Sequence, residues 1–458
     1  MKRVRNNRRA WLLAMALFPV IVMAQGLPLQ NNDTLQKPKH EFSILQAVDY
    51  ANKNNVQVKN ALLNLRIQEQ TNREITSAAY PQISANGSFT YNAKLPVSLV
   101  PAEFFGGQPG NFEKIAFGLK YNATGGVEVN QLLFDGQVFV GLQARESVLK
   151  FQQKNVEVTE EMIKANIYKI YYQLVVSKQQ VELLDANIER FEKLLKDTRI
   201  IYENGFAEKL DVDKVNVALT NLQTEKIKAL NQIGNGYLGL KLLMGMPVKE
   251  ELVLTDTLRY EQIKDDVLDP GSFDYADRKE YQYAELGIRL NEYNIRRYKL
   301  SRFPTLSVNG YYNKNAQRNK FDFFDNGDWF DISAITLNLN IPIFTGFSTK
   351  AKIQKAKLEL QQSVNQREYL KISIDNDQQV ANNNFRSAIS TLDFQKKNME
   401  LAENVYQQTK KKYEAGTGSQ TEINNAQTDL KTAQTNYITA LYDAIIAKVD
   451  FLKATGKL

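Results

Sequence analysis

The sequence predicts a mainly α-helical protein with a small β-barrel part, built as two structural repeats. Three observations predict it. Beyond residue 24 the prolines fall at 28, 38, 81, 96, 101, 109, 247, 270, 304 and 342, which leaves 110–246 and 343–458 free of them. Proline inside a helix costs about 3 kcal/mol, so tracts this long read as long helices. Short blocks of strict apolar/polar alternation lie ahead of each tract and read as strands. Finally, the same motifs recur in the same order in both halves, which marks an internal duplication rather than a short-period solenoid.

In chain order, residues 1–24 have the parts of a secretory signal. Lys2, Arg3, Arg5, Arg8 and Arg9 precede an apolar run from Ala10 to Met23, and Val22-Met23-Ala24 offers small residues for cleavage. The run falls short of the roughly 20 residues that span a bilayer, and Pro19 interrupts it. Those five cations carry most of the formal charge of +7; without them 53 basic residues face 51 acidic ones, a balance of +2. Nucleic acid is therefore not an expected partner. With no cysteine, the chain has no disulfide, thiol nucleophile, cysteine zinc site or thioether-linked lipid anchor. One histidine, His40, rules out a His-rich metal site and argues against a Ser-His-Asp triad. It is expected to be solvated in the N-terminal extension. No catalytic residue, metal or cofactor is expected.

The first repeat is assigned to 25–245, a linker to 246–273 and the second repeat to 274–458. Tyr80-Pro81-Gln82-Ile83-Ser84-Ala85-Asn86-Gly87 returns as Phe303-Pro304-Thr305-Leu306-Ser307-Val308-Asn309-Gly310. Leu133-Phe134-Asp135-Gly136 returns as Ile343-Phe344-Thr345-Gly346, and Tyr202-Glu203-Asn204-Gly205 as Tyr413-Glu414-Ala415-Gly416. Alternation places strands at 83–91, at 117–129 through the Gly125-Gly126 bend, at 306–312 and at 335–341. Loops 94–115 and 314–331, rich in phenylalanine, separate each pair. Pro81, Asp135, Gly136, Pro304, Thr345 and Gly346 mark the strand–helix junctions. A helix is then expected from Gly136 to about Asn204, roughly 100 Å at 1.5 Å per residue. Val181, Leu184, Ile188, Phe191, Leu195, Thr198 and Tyr202 form one coiled-coil seam. Ile423, Ala426, Leu430, Ala433, Tyr437, Ala440, Ala444, Ala447 and Phe451 form the other. Gly205 and Gly416 supply the turns between antiparallel helices.

Hydrophobic residues make up 43% and mean hydropathy is −0.42, which excludes a helical-bundle membrane protein but permits a membrane β-barrel. Four amphipathic strands of about ten residues can each cross a bilayer, yet four cannot close, and open edges in lipid are not tolerated. Oligomerisation must complete the barrel. The apolar faces are then expected to meet lipid, with Ser84, Asn86, Thr336, Asn338 and Asn340 toward a wet lumen. Gly234-Asn235-Gly236-Tyr237-Leu238-Gly239 fits a dinucleotide-binding pattern, but inside a helix it reads as close packing. Lys410-Lys411-Lys412 reads as a solvated helix end.

Across about 40–458 the chain resembles the TolC family of outer-membrane efflux channels. The resemblance rests on the paired junctions and on the Tyr-Glu-x-Gly turns followed six residues later by Asp211 and Glu422. It implies a homotrimer whose protomers each give four transmembrane strands to a 12-stranded barrel, above a long periplasmic coiled-coil tunnel. It also implies docking to a periplasmic adaptor protein and an inner-membrane pump of RND, ABC or MFS type, or a type I exporter. Location in the cell outer membrane, with extension into the periplasm, follows. Asp211, Asp213, Glu422 and Asn425 become candidate gate residues at the periplasmic tip. Gly205, Phe206, Gly416, Thr417 and Gly418 become candidate tip turns for adaptor docking. Asn425 stands where some members carry a second acid, and Gly418 where some carry a basic residue. Acids also favour helix N-termini on general grounds. A trimeric envelope coiled coil or adhesin with a barrel anchor is the alternative, opposed by the duplication.

Overall fold

The computed structural model describes residues 39–258, 260, 263, 273–325 and 327–458; the leader and linker residues 264–272 lie outside them. Strand β1 (Lys39–Phe42) leads into helix α1 (Ile44–Asn54), whose start is fixed by a capping box between Ser43 and Gln46. Asn55 ends α1 and caps helix α2 (Val56–Ser77), accepting from Gln57 N at 2.7 Å. Its amide also donates to Leu243 O at 2.6 Å, which ties the start of the repeat to its end.

Four long strands follow the helical pieces: β2 (Gln82–Tyr91), β5 (Tyr121–Phe134), β7 (Thr305–Arg318) and β8 (Phe330–Asn340). They form one antiparallel sheet in the order β2-β5-β7-β8. The register carries the alternation across all four strands. Ile83, Val129, Gly310 and Ile335 share one row, and Gln82, Asn130, Asn309 and Thr336 share the next. One face is therefore mainly apolar up to the Lys314–Asp331 ion pair, and the other mainly polar, where Asn309 donates to Glu128 and Asn130 at 2.5 Å. Among the described residues β2 and β8 have no strand on their outer sides.

Three local expectations fail. The loop expected at 314–331 is shorter, since β7 runs on to Arg318 and β8 begins at Phe330. The loop at 94–115 contains a hairpin of β3 (Val97–Pro101) and β4 (Phe112–Ala116), capped by a 3-10 turn at Ala102–Phe105. Its strands are too short, and too close to Pro96 and Pro101, to show a period. The stretch 117–120 is not strand, because Gly118 takes φ +99 and the ladder begins at Tyr121.

Asp135 caps helix α3 (Gly136–Glu203), which runs for 68 residues, and α4 (Lys209–Met244) returns beside it. β6 (Glu251–Leu254) then pairs parallel with β1. This four-residue ladder places His40 otherwise than expected. It is half-buried, with Nε2 3.0 Å from a Glu250 carboxylate oxygen and its ring against Phe42 and Tyr50. The second repeat continues with α5 (Lys279–Leu300), β7 and β8, α6 (Ser348–Glu414, 67 residues) and α7 (Gln420–Ala454).

Both expected seams form. Leu184, Phe191 and Thr198 are buried on α3, as are Ile423, Ala426, Leu430, Ala433, Ala440, Ala444, Ala447 and Phe451 on α7. Tyr202, one residue before the end of α3, is instead 42% exposed. Gly236 shows why the glycine pattern lies in α4: a Cβ there would come within 2.7 Å of Leu174 Cδ2.

The main core gathers where α1, α3, α4 and α7 meet, around Ala47, Ala51, Ile167, Tyr171, Leu240, Met244 and Ala444. The Tyr171 hydroxyl donates to Phe42 O at 2.8 Å and accepts from Asp256 N at 3.3 Å. Burial raises the Tyr171 and Tyr172 phenols, with the Asp256 carboxylate adding to the shift, and Tyr172 is pushed up to about 12. Because the folded value lies above the ordinary value near 10, the contribution is fully present below pH 10 and is lost as pH rises toward about 12. Alkaline loss of helical circular dichroism should therefore begin in that window, and Tyr172→Phe should move its onset upward. An unmoved onset would show that Tyr172 does not drive the transition.

Candidate functional site at the helical tip

The turns at the far end of α3/α4 and α6/α7 carry the candidate gate. α3 stops because Asn204 caps it and Gly205 turns back at φ +80; α6 stops at Ala415 with Gly416 at φ +73. Both glycines have open space around a would-be Cβ, so the positive φ, not crowding, selects them. Phe206 is 86% exposed between its helices, an apolar side chain at the tip. The second turn is tighter. Thr417 N and Gly418 N both donate to Lys412 O, at 2.9 and 3.0 Å, and Thr417 Oγ1 does so at 3.2 Å. A Cβ on Gly418 would stand 3.0 Å from Tyr413 N, so a side chain there would push the turn outward.

Asp211 lies in the first turn of α4, half-buried, 3.8 Å from the Lys214 ammonium. Glu422 lies in the first turn of α7 and completes a capping box. Its N donates to Ser419 Oγ at 3.2 Å, and Ser419 N donates to its carboxylate at 3.3 Å. Glu422 thus satisfies the ordinary helix-start role of an acid while its side chain remains exposed. Asp213 and Asn425 are likewise exposed.

The sequence did not reveal the lateral tie between the two hairpins. Tyr413 Oη donates to Gln420 Oε1 at 2.5 Å, and Thr198 Oγ1 from α3 reaches the same oxygen at 3.3 Å. Burial holds the Tyr413 phenol above its usual value; the Asp197 and Asp211 carboxylates add to this, while a hydrogen bond with Thr198 opposes it. Side chains of α3, α6 and α7 therefore meet at one phenol, on which Asp211 of α4 acts electrostatically. No sequence signal separates the two paired tyrosines, yet Tyr202 is exposed whereas Tyr413 packs into the seam. Further along, Asn187 Nδ2 donates to Gln434 Oε1 at 3.0 Å in a buried polar link between α3 and α7.

At the other end the two junctions are built differently. Asp135 accepts from Gln137 N at 2.7 Å, and a Cβ on Gly136 would lie 2.8 Å from Leu300 Cβ. In the second repeat Thr345 Oγ1 lies 3.2 Å from Thr349 Oγ1, Gly346 has φ +57, and Phe347 with φ +62 begins the helix without a side-chain cap. Pro81 and Pro304 precede β2 and β7, where their missing N–H costs no ladder bond. Among the described residues no group of His, Cys, Asp or Glu could hold a metal, and no helix is long and apolar enough to cross a membrane.

Comparison with known proteins agrees with the fold. The outer membrane protein TolC of Vibrio cholerae is 21% identical over 337 residues, covering 73% of this chain and 77% of that protein. The solved structure of CusC superposes with a TM-score of 0.75 over 97% of this chain and 99% of that one, at 16% identity. The open-state MtrE outer membrane channel of Neisseria gonorrhoeae gives 0.69 over 90% and 88%, at 17% identity. The family model described as outer membrane efflux protein matches residues 47–246 and 276–457. The chain belongs to the outer membrane efflux protein family, whose members are channel proteins of the Gram-negative outer membrane.

Proposed function

We propose that the protein is a gated, passive conduit from the periplasm to the exterior, serving a tripartite efflux or type I secretion system as a homotrimer. The observation that carries this reading is the four-stranded antiparallel sheet, whose two edges are unpaired among the described residues. With four strands, β8 of one copy runs antiparallel to β2 of the next, so closure continues the existing ladder. An eight-stranded barrel is only wide enough for its own side chains, whereas twelve strands leave a passage. The apolar face then meets lipid, and the row of Gln82, Asn130, Asn309 and Thr336 lines the lumen. Below the barrel, three copies of the helical part enclose a tunnel about 100 Å long, as expected from 68 residues at 1.5 Å each.

In this reading the tips form the entrance. Asp211, Asp213 and Glu422 gather into rings that attract cations, Asn425 leaves the ring less charged, and the Tyr413 tie helps hold the helices together. Phe206 and the turn at Gly416-Thr417-Gly418 face the periplasmic adaptor, and the inner-membrane pump supplies the energy. Purified from outer membranes, the protein should have three times the chain mass and conduct ions across a planar bilayer. A monomer, or a non-conducting trimer, would sink the proposal.

A further inference from the structure

The junctions between sheet and helices differ in charge between the repeats. Between the C-terminal end of α5 and the first turns of α6 lies an open cavity of about 660 Å³. Lys299, Arg302, Lys350 and Lys357 line it together with Phe303 and Pro304, and no carboxylate does. None of these four cations is ion-paired among the described residues. Lys299 and Arg302 suit the negative end of the α5 dipole, but Lys350 stands in the first turn of α6, where a cation is disfavoured, and Lys357 lies about two turns further along. Four uncompensated cations around one space repel each other, and an anion placed there relieves the repulsion.

The duplication supplies an internal comparison. Aligning Pro81 with Pro304 puts Thr76 and Ala79 at the positions of Lys299 and Arg302. Aligning Gly136 with Gly346 puts Val140 and Ser147 at the positions of Lys350 and Lys357. All four counterparts are uncharged. The first junction holds instead one partnered cation, Arg145, whose Nη1 donates to Thr76 Oγ1 at 2.6 Å.

The cavity also has a definite depth. Pro304 stands one residue before β7, and by strand alternation it shares the apolar face with Leu306 and Val308. Beyond β8, Ile341, Ile343 and Phe344 are 53%, 93% and 73% exposed on the way to α6. The cations thus border the lower rim of the apolar band, at headgroup depth of the periplasmic leaflet. We propose that this cavity binds the phosphate headgroup of an anionic phospholipid, with the acyl chains lying along the adjoining apolar face. The proposal rests on the sheet spanning the bilayer and goes beyond the conduit reading.

Native mass spectrometry of the purified full chain in detergent, titrated with phosphatidylglycerol or phosphatidylcholine, tests it. The native protein should retain phosphatidylglycerol preferentially, and less of it as salt rises. Combining Lys299→Gln, Arg302→Gln, Lys350→Gln and Lys357→Gln should weaken that retention roughly fivefold per cation, and on the order of a hundredfold after screening. Lys299→Arg with Lys350→Arg and Lys357→Arg should keep it, which separates charge from misfolding. Neutralising the exposed tunnel lysines Lys193, Lys196, Lys228 and Lys397 should leave it unchanged. Equal phosphatidylglycerol retention by the cavity variant, or equal loss in the tunnel control, overturns the proposal. So does altered ion selectivity of the conducting protein with lipid binding intact, which would put the cations on the lumen. The same spectra report the oligomeric mass, so failure of the lipid site and failure of the trimer are read separately.

Discussion

Gly245→Val is expected to abolish accumulation of folded protein. Gly245 ends α4 at φ +70, and a Cβ there would stand 2.4 Å from Asn54 O, 2.7 Å from Asn54 C and 3.1 Å from Asn55 N. The left-handed conformation alone costs about 1–2 kcal/mol for an ordinary residue, and more for a β-branched one. The clash cannot relax cheaply, because Asn55 in the same backbone caps α2 and holds Leu243 O. A total of about 3 kcal/mol or more is a large share of the 5–15 kcal/mol that stabilises a typical domain. Gly239 provides the contrast: it sits in the interior of α4 with no atom within 4 Å of a would-be Cβ. Gly239→Ala should stabilise the helix by about 0.5–1 kcal/mol. Yield and thermal midpoint from circular dichroism check both. A Gly245→Val protein melting like the native one would show that the α1–α2 elbow yields where its hydrogen bonds say it should not.

Neutralising the tip acids is expected to change what the channel passes while leaving the fold intact. Alanine would be a poor probe at Glu422, because it would remove both charge and cap; glutamine keeps the capping box. Asp211→Asn combined with Glu422→Gln removes two charges per protomer with little change of shape. Each charge interaction at about 4 Å is worth roughly 1 kcal/mol in water. Cation-over-anion permeability in planar bilayers should therefore fall by about fivefold or more. Unchanged selectivity would leave Glu422 with its capping role alone and place the constriction elsewhere.

Those two sites also show which features could be read from the chain. Helix spacing found α3 to within one residue of its end, and most named seam positions of α3 and α7 are buried. Strand alternation found all four sheet strands, since a period of two over ten residues leaves little ambiguity. Short elements failed for the matching reason: β1, β3, β4 and β6 have four or five residues each, too few to display a period. His40 was misplaced because its partner Glu250 lies 210 positions away, across a pairing that no local pattern announces. The Tyr413 tie and the α5/α6 cavity were hidden differently. Their residues are plain in the sequence, but only the fold brings Thr198 to Gln420, or Lys299 to Lys350.

The near-equality of α3 and α6, at 68 and 67 residues, has a consequence for how this gene can change. Each inserted residue turns everything below it by about 100° and displaces it by 1.5 Å. A one-residue insertion in either helix would swing its seam off its neighbour and leave one hairpin ending at a different height from the other. Only steps of about seven residues restore the rotational phase. Even those keep the tips level only if both halves, and the returning helices α4 and α7, take the same step together. The distance from the sheet to the tips is thus a measuring rod cut twice in one gene, and each copy holds the other to its length.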